Sequence, residues 1–261
     1  MQSLEIFWIF CLGHLMTDFV LQTTALVERK KKGKFSAYAQ HGLTHYFAIL
    51  IVAAIFDLPR LADIRFQLTA LALTAAHLAI DWTKLRLTTP GRIPDGLAVF
   101  LADQAVHLAS ITLAAFIYTG GRFEEALNDV RAIQPHRDAI LAVLVVYVAA
   151  VFGAGYIVRY LTKPLLGHLA TEGGKTREEL RNAGLYIGWL ERILVLTAIL
   201  LRSPSTIGLV LTAKSIVRYP ELKDGRFAEY FLIGTLLSVL FAIFAGIFLQ
   251  KLLHQTIGFV S

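Results

Sequence analysis

The stretch His77-Leu78-Ala79-Ile80-Asp81-Trp82 decides how this chain is read. It lies near the end of a long apolar run, where an ionisable pair is costly unless something holds it. A near-copy stands upstream, His14-Leu15-Met16-Thr17-Asp18-Phe19, and both read H-L-x-x-D-aromatic. A second pair follows each copy: His41 and His45 after the first, Asp103 and His107 after the second. The offsets are 63 (14 to 77, 18 to 81) and 62 (41 to 103, 45 to 107). Self-similarity at a fixed offset predicts a repeated structural unit, here a duplicated helical hairpin with one polar pair on each helix.

The rest of the sequence sets this repeat in a membrane. The 261 residues are 56% hydrophobic and only 17% charged, whereas a soluble domain carries about a quarter of charged residues. Several apolar runs approach the roughly 20 residues that cross about 30 Å of hydrocarbon. Helices satisfy their own backbone polar groups in lipid. The predicted fold is therefore all-α, a polytopic transmembrane bundle of about eight spans. Their extents are near 4–26, 36–57, 67–86, 96–118, 138–160, 183–202, 204–219 and 229–252. This divides the chain into a four-helix half at 1–118, an amphipathic connector at 119–137 and a second four-helix half at 138–261. In the connector, Phe123, Leu127, Val130 and Ile133 recur at near-helical spacing. The first apolar segment lacks a basic leader and carries His14 and Asp18, so it reads as a retained span rather than a cleaved signal. The lone Cys11 excludes an internal disulfide and any site built from several thiolates.

Loop charge orients the bundle. Of the 25 Lys and Arg residues, 16 fall in or beside the loops after the odd-numbered spans and 7 at the others. The positive-inside rule then places the odd loops in the cytoplasm and both termini outside. On this reading the net charge of +6 belongs to cytoplasmic loops and implies no nucleic acid partner.

His14/Asp18, His41/His45, His77/Asp81 and Asp103/His107 are all i,i+4 pairs, so each pair points in one direction from its helix. At about 1.5 Å per residue, all eight fall in the cytoplasmic half of the membrane, within about two turns of one another. Five imidazoles and three carboxylates in one layer need partners, and the economical partner is a divalent cation. Nitrogen and oxygen donors without thiolate suit zinc, manganese or ferrous iron. Eight donors suffice for one or two ions. Two ions would suit phosphoester hydrolysis, with one activating water and the other stabilising the leaving oxygen. Asp18, Asp81 and Asp103 are the candidates for the general base. Gln22, Gln40 and Gln104 are candidates to orient the ligands. A proton or ion path, or a structural polar network, would use the same residues.

A second polar layer lies in the C-terminal half. Glu191 and Lys214 suggest a buried ion pair, and Lys214 with Arg218 form another i,i+4 pair suited to an anionic headgroup. Gly184-x-x-x-Gly188 predicts a smooth packing face. The function these residues suggest is a metal-dependent membrane hydrolase or transferase acting on a phosphorylated lipid from the cytoplasmic leaflet. The alternatives are a divalent-metal or proton transporter and a regulatory or assembly protein.

The quoted motifs resemble a bacterial family catalogued as domain of unknown function 3307. The N-terminal motifs are HLMTDFVLQ (14–22), HGLTH (41–45), HLAIDW (77–82) and DQAVHL (103–108). The C-terminal ones are GLYIGWLER (184–192), AKSIVRYPE (213–221) and EYFLIGTLLS (229–238). The resemblance implies an integral protein of the bacterial inner membrane and carries no reaction or cofactor with it.

Overall fold

A computed structural model describes residues 3–89, 92–120, 137–167 and 176–257. The connector residues 121–136, with their amphipathic pattern, lie outside them. Every regular element among the described residues is helical. Five helices are long and apolar enough to cross a membrane: Leu4–Leu21, Phe35–Phe56, Leu97–Tyr118, Arg137–Leu165 and Gly225–Leu253. The protein is thus an all-helical membrane protein. The chain divides into one unit running through Val145 and another at Val146–His254.

In the first unit, α1 (Ser3–Leu15) continues through a π-helical turn, Met16–Leu21, that contains Asp18. The helix ends there, short of the predicted residue 26. Gln22 is extended, and the Thr23 hydroxyl accepts a bond from the Leu26 amide, a cap that starts a separate helix. This is α2 (Thr24–Lys31), which buries Leu26 and Lys30. Gly33, at φ 69°, reverses the chain. Its amide and that of Lys34 bond back to the Lys30 and Arg29 carbonyls, a glycine-dependent stop. There follow α3 (Phe35–Phe56), α4 (Ile64–Thr88) and α5 (Leu97–Tyr118). Helix α1 packs on α3 and α5, and α4 packs on the same two, so the four close into a ring.

Gly13 sets how closely α1 and α3 approach. A Cβ there would stand 2.6 Å from Ile49 Cγ1 and 3.1 Å from the Ile49 Cα. At the end away from Lys30, the ring is filled by buried Ile9, Phe10, Ile49, Phe66, Leu73 and Ile111. Phe10 stacks on Phe66 at 5.7 Å. Beyond this dry layer, Arg60 pairs with Asp57 and reaches Glu5 at 3.4 Å. Tyr118 donates to Asp63 at 2.7 Å. This polar clasp ties the N-terminal ends of α1 and α4 to the C-terminal end of α5.

The remaining helices are α6 (Arg137–Val148), α7 (Ala154–Gly167), α8 (Thr176–Leu200), α9 (Ser205–Arg218) and α10 (Gly225–Ile257). A π-helical turn, Ala149–Gly153, joins α6 to α7. Arg192 of α8 donates to the Val151 carbonyl from Nε (2.9 Å) and Nη2 (2.6 Å), and to Ser238 Oγ at 2.9 Å. This corrects the expectation for Gly184 and Gly188. A Cβ at Gly184 would meet nothing within 4 Å, and one at Gly188 would press on the Arg192 guanidinium at 3.3 Å. The glycine that matters makes room for an arginine of its own helix.

Candidate metal centre

The four-helix ring brings the eight residues of the repeat together, two from each helix. All eight are buried. Their imidazoles pack ring against ring: His45 lies 4.2 Å from His77, and His14 and His77 each lie 4.7 Å from His107. The i,i+4 spacing does this locally, because each helix can aim two side chains at one axis.

Four donor atoms converge most closely. His41 Nε2 stands 2.9 Å from His77 Nε2, 3.2 Å from Asp18 Oδ1 and 3.2 Å from Asp81 Oδ2. His77 Nε2 stands 3.3 Å from Asp18 Oδ1. Bonds of about 2.0–2.2 Å to nitrogen and oxygen would put neighbouring ligands of a tetrahedral ion about 3.3–3.5 Å apart. The triangle of His41 Nε2, His77 Nε2 and Asp18 Oδ1, at 2.9, 3.2 and 3.3 Å, therefore has nearly the edge lengths such an ion requires, and Asp81 Oδ2 adjoins it at His41.

Three overlapping groups place their ligand atoms within 4.8 Å of one another: His14, Asp18, His77 and His107; His41, His77 and Asp81; and Asp81, Asp103 and His107. His77, Asp81 and His107 are each shared by two groups. His45 belongs to none of the three. Its ring instead covers His77, and its Nδ1 lies 2.9 Å from Thr74 Oγ1.

Hydrogen bonds fix some of the tautomers. The Thr74 hydroxyl donates to the Ala70 carbonyl at 2.9 Å, so it accepts from His45 Nδ1–H. His107 Nδ1 lies 2.9 Å from the Asp103 carbonyl oxygen, which only accepts. The neutral His107 ring therefore carries its proton on Nδ1 and presents a bare lone pair at Nε2. That Nε2 is buried with no hydrogen-bond partner among the described residues. The same holds for His14 Nδ1, Asp18 Oδ1, His41 Nδ1, His77 Nδ1 and Asp103 Oδ1. Buried polar atoms ordinarily have partners, and six exceptions in one cluster are compatible with a metal site.

The structure adds two lysines that the repeat gave no reason to expect. Lys30 Nζ of α2 lies 2.6 Å from Asp81 Oδ2, and Lys84 Nζ of α4 lies 2.8 Å from Asp103 Oδ2. Of the three glutamines, Gln104 Nε2 donates to Asp103 Oδ2 at 3.0 Å. Gln22 Nε2 lies 3.3 Å from the Asp18 backbone carbonyl rather than its carboxylate. Gln40 is not brought to the cluster. It is exposed and accepts from Arg29 Nη1 at 3.2 Å.

Residues 6–131 match the family described as Protein of unknown function (DUF3307). The match covers 126 of the 261 residues, just under half of the chain. No curated protein and no solved structure matches the chain. The DUF3307 match spans nearly all of the four helices that carry the cluster and ends before the C-terminal motifs at 184–192, 213–221 and 229–238.

Outside the DUF3307 segment, Lys214 Nζ lies 2.8 Å from Glu191 Oε2 and 5.1 Å above the centre of the Phe231 ring. Arg218 Nη1 lies 2.7 Å from Glu221 Oε2. Both cations of the expected anion-binding pair thus have carboxylate partners within the second unit.

Proposed function

We propose that the His/Asp cluster is an intramembrane divalent-metal centre, holding one or two ions of zinc, manganese or iron, and that it serves a metal-dependent hydrolase or transferase. The observation that carries this reading is the triangle of His41 Nε2, His77 Nε2 and Asp18 Oδ1, with separations of 2.9–3.3 Å, which Asp81 Oδ2 adjoins at 3.2 Å from His41 Nε2. Asp18 Oδ1 faces both Nε2 atoms and Asp81 Oδ2 faces that of His41, and these two carboxylates would act as ligands. Asp103 Oδ1 accepts no hydrogen bond among the described residues, with His107 Nδ1 at 3.7 Å, and it would serve as the general base. The topology proposed is eight spans in the bacterial inner membrane, both termini outside, with the Lys30/Lys84 end towards the cytoplasm. The substrate is a phosphorylated lipid of the cytoplasmic leaflet. A bound divalent ion supplies an activated water and charge stabilisation at the leaving oxygen.

Elemental mass spectrometry of the detergent-purified protein tests this, beside a His77→Ala variant of matched melting temperature. Near-stoichiometric metal in the wild type and its loss in the variant is the expected result. A wild type that stays metal-free after reconstitution with zinc, manganese and iron would overturn the reading.

A further inference from the structure

We infer that Lys30 and Lys84 form an anion-binding pair at the rim of this centre, and that the group they take is a phosphoryl group. The inference rests on the metal reading and names which residues hold the anionic part of its substrate.

The first support is an excess of donors. An ammonium carries three N–H groups. Among the described residues, Lys30 Nζ has one acceptor, Asp81 Oδ2, and Lys84 Nζ has one, Asp103 Oδ2. Two donors on each lysine are left over. On Lys30, whose side chain is 4% exposed, those donors lie where water is scarce. Burying a charged donor without an acceptor is expensive.

The second support is place. Lys84 is 28% exposed at its side chain while Asp103 is 3%, and the eight repeat residues are all buried. Approach to the cluster is therefore on the side of Lys84. The opposite side is closed by Phe10, Phe66 and Ile111. An incoming anion meets Lys84 before it meets the histidines.

The third support is charge. With neutral imidazoles, three carboxylates outnumber two ammoniums by one. A single divalent ion turns the net charge positive, and a second turns it more so. The loaded centre would then attract a dianion. Lys30 and Lys84 neutralise Asp81 and Asp103 through one lone pair of each Oδ2, which leaves the second lone pair of Asp81 Oδ2 and the His lone pairs for metal. Phosphoryl oxygens match both parts, because ammonium N–H groups and divalent ions are both recurrent phosphate partners.

The same chemistry belongs to inorganic phosphate and to a phosphomonoester headgroup, and the experiment separates them. Full-length protein in neutral detergent is loaded with Mn²⁺, its metal content is measured, and inorganic phosphate binding is followed by calorimetry. The wild type should bind phosphate, K84M should weaken binding at least tenfold, and K84R should stay within about threefold of wild type. K84R guards against a mere folding effect, as does a matched melting temperature. Mixed micelles containing phosphatidic acid should displace phosphate, whereas phosphatidylcholine should not. Displacement assigns the site to a lipid headgroup; phosphate binding without displacement keeps the anion site and assigns it to free phosphate. Equal phosphate affinity in K84M and wild type would overturn the inference, as would metal-loaded protein that binds no phosphate. Lysine-dependent phosphate binding by protein that holds no metal would instead sink the metal reading and leave the anion site standing.

Discussion

Replacing Asp81 by Asn removes one partner from two interactions at once. Asp81 Oδ2 lies 2.6 Å from Lys30 Nζ and 3.2 Å from His41 Nε2. The Lys30 and Asp81 side chains are 4% and 9% exposed. Breaking a buried pair from one side strands a charge and costs about 3–5 kcal/mol. Asp81→Asn alone should therefore lower stability by that amount in the presence of a chelator, and Lys30→Met alone should do much the same. The double variant strands nothing. It should be more stable than the sum of the single effects predicts by about 3 kcal/mol, the upper range for residues in contact.

Metal adds a second axis to this cycle. A ligand that binds only the folded state at 100 times its Kd stabilises by about 2.7 kcal/mol. Wild type should gain this on adding Mn²⁺ or Zn²⁺, and Asp81→Asn, which has lost a ligand carboxylate, should not. Reversible unfolding in mixed micelles, run with chelator and with metal, reads both axes. Additivity of the two substitutions within about 0.5 kcal/mol would refute the ion-pair account. Undiminished metal stabilisation of Asp81→Asn would refute the ligand account.

Gly13→Ala changes no ligand, yet its Cβ would press on the backbone of Ile49 as well as its side chain. Overpacking costs about 1–3 kcal/mol, so melting temperature and metal content should fall together. At the polar clasp, the Asp63 carboxyl is held below its ordinary range by the Tyr118 hydroxyl and the Arg65 amide. A depressed carboxyl stabilises above its unfolded pKa of about 3.9 and loses that contribution as pH falls through the folded value. Wild type should therefore lose more stability than Asp63→Asn in melts below pH 4, and parallel curves would show that the clasp contributes nothing.

The repeat was legible because it is written in residues that do not belong in lipid. His14, Asp18, His41, His45, His77, Asp81, Asp103 and His107 recur at fixed offsets, and helical spacing alone puts each pair on one face. Lys30 and Lys84 were not legible for the complementary reason. Position 84 less 63 is Leu21, and position 30 plus 63 is Ile93, so neither lysine has a matching lysine in the other copy. Lys30 also sits in the run Arg29-Lys30-Lys31-Lys32, which loop topology explains without remainder. What distinguishes it is the break at Gln22-Thr23, which lets α2 form and turn Leu26 and Lys30 inward together. The break depends on a cap and a π-helical turn, and a hydropathy run passes over both. Gln40 failed in the opposite way: it neighbours His41 in sequence, but one residue is about 100° of helix, enough to turn it outward.

The choice between an enzyme and a conduit turns on the dry layer between the cluster and the polar clasp. On α1, His14 belongs to the cluster and Glu5 to the clasp. Nine residues of helix separate them, about 13 Å at 1.5 Å per residue. The buried side chains filling that interval are Ile6, Ile9, Phe10, Ile49, Phe66 and Ile111. An ion crossing it would leave water with no polar partner, at a cost of tens of kcal/mol by simple solvation. No rearrangement of the cluster alone removes that barrier. Liposomes containing the protein should therefore show no Mn²⁺ influx above empty liposomes under an inward gradient, while the same preparation retains bound metal. Influx that His77→Ala abolishes would mean the ring opens across its apolar layer, and the one-sided centre would have to be abandoned for a translocation site.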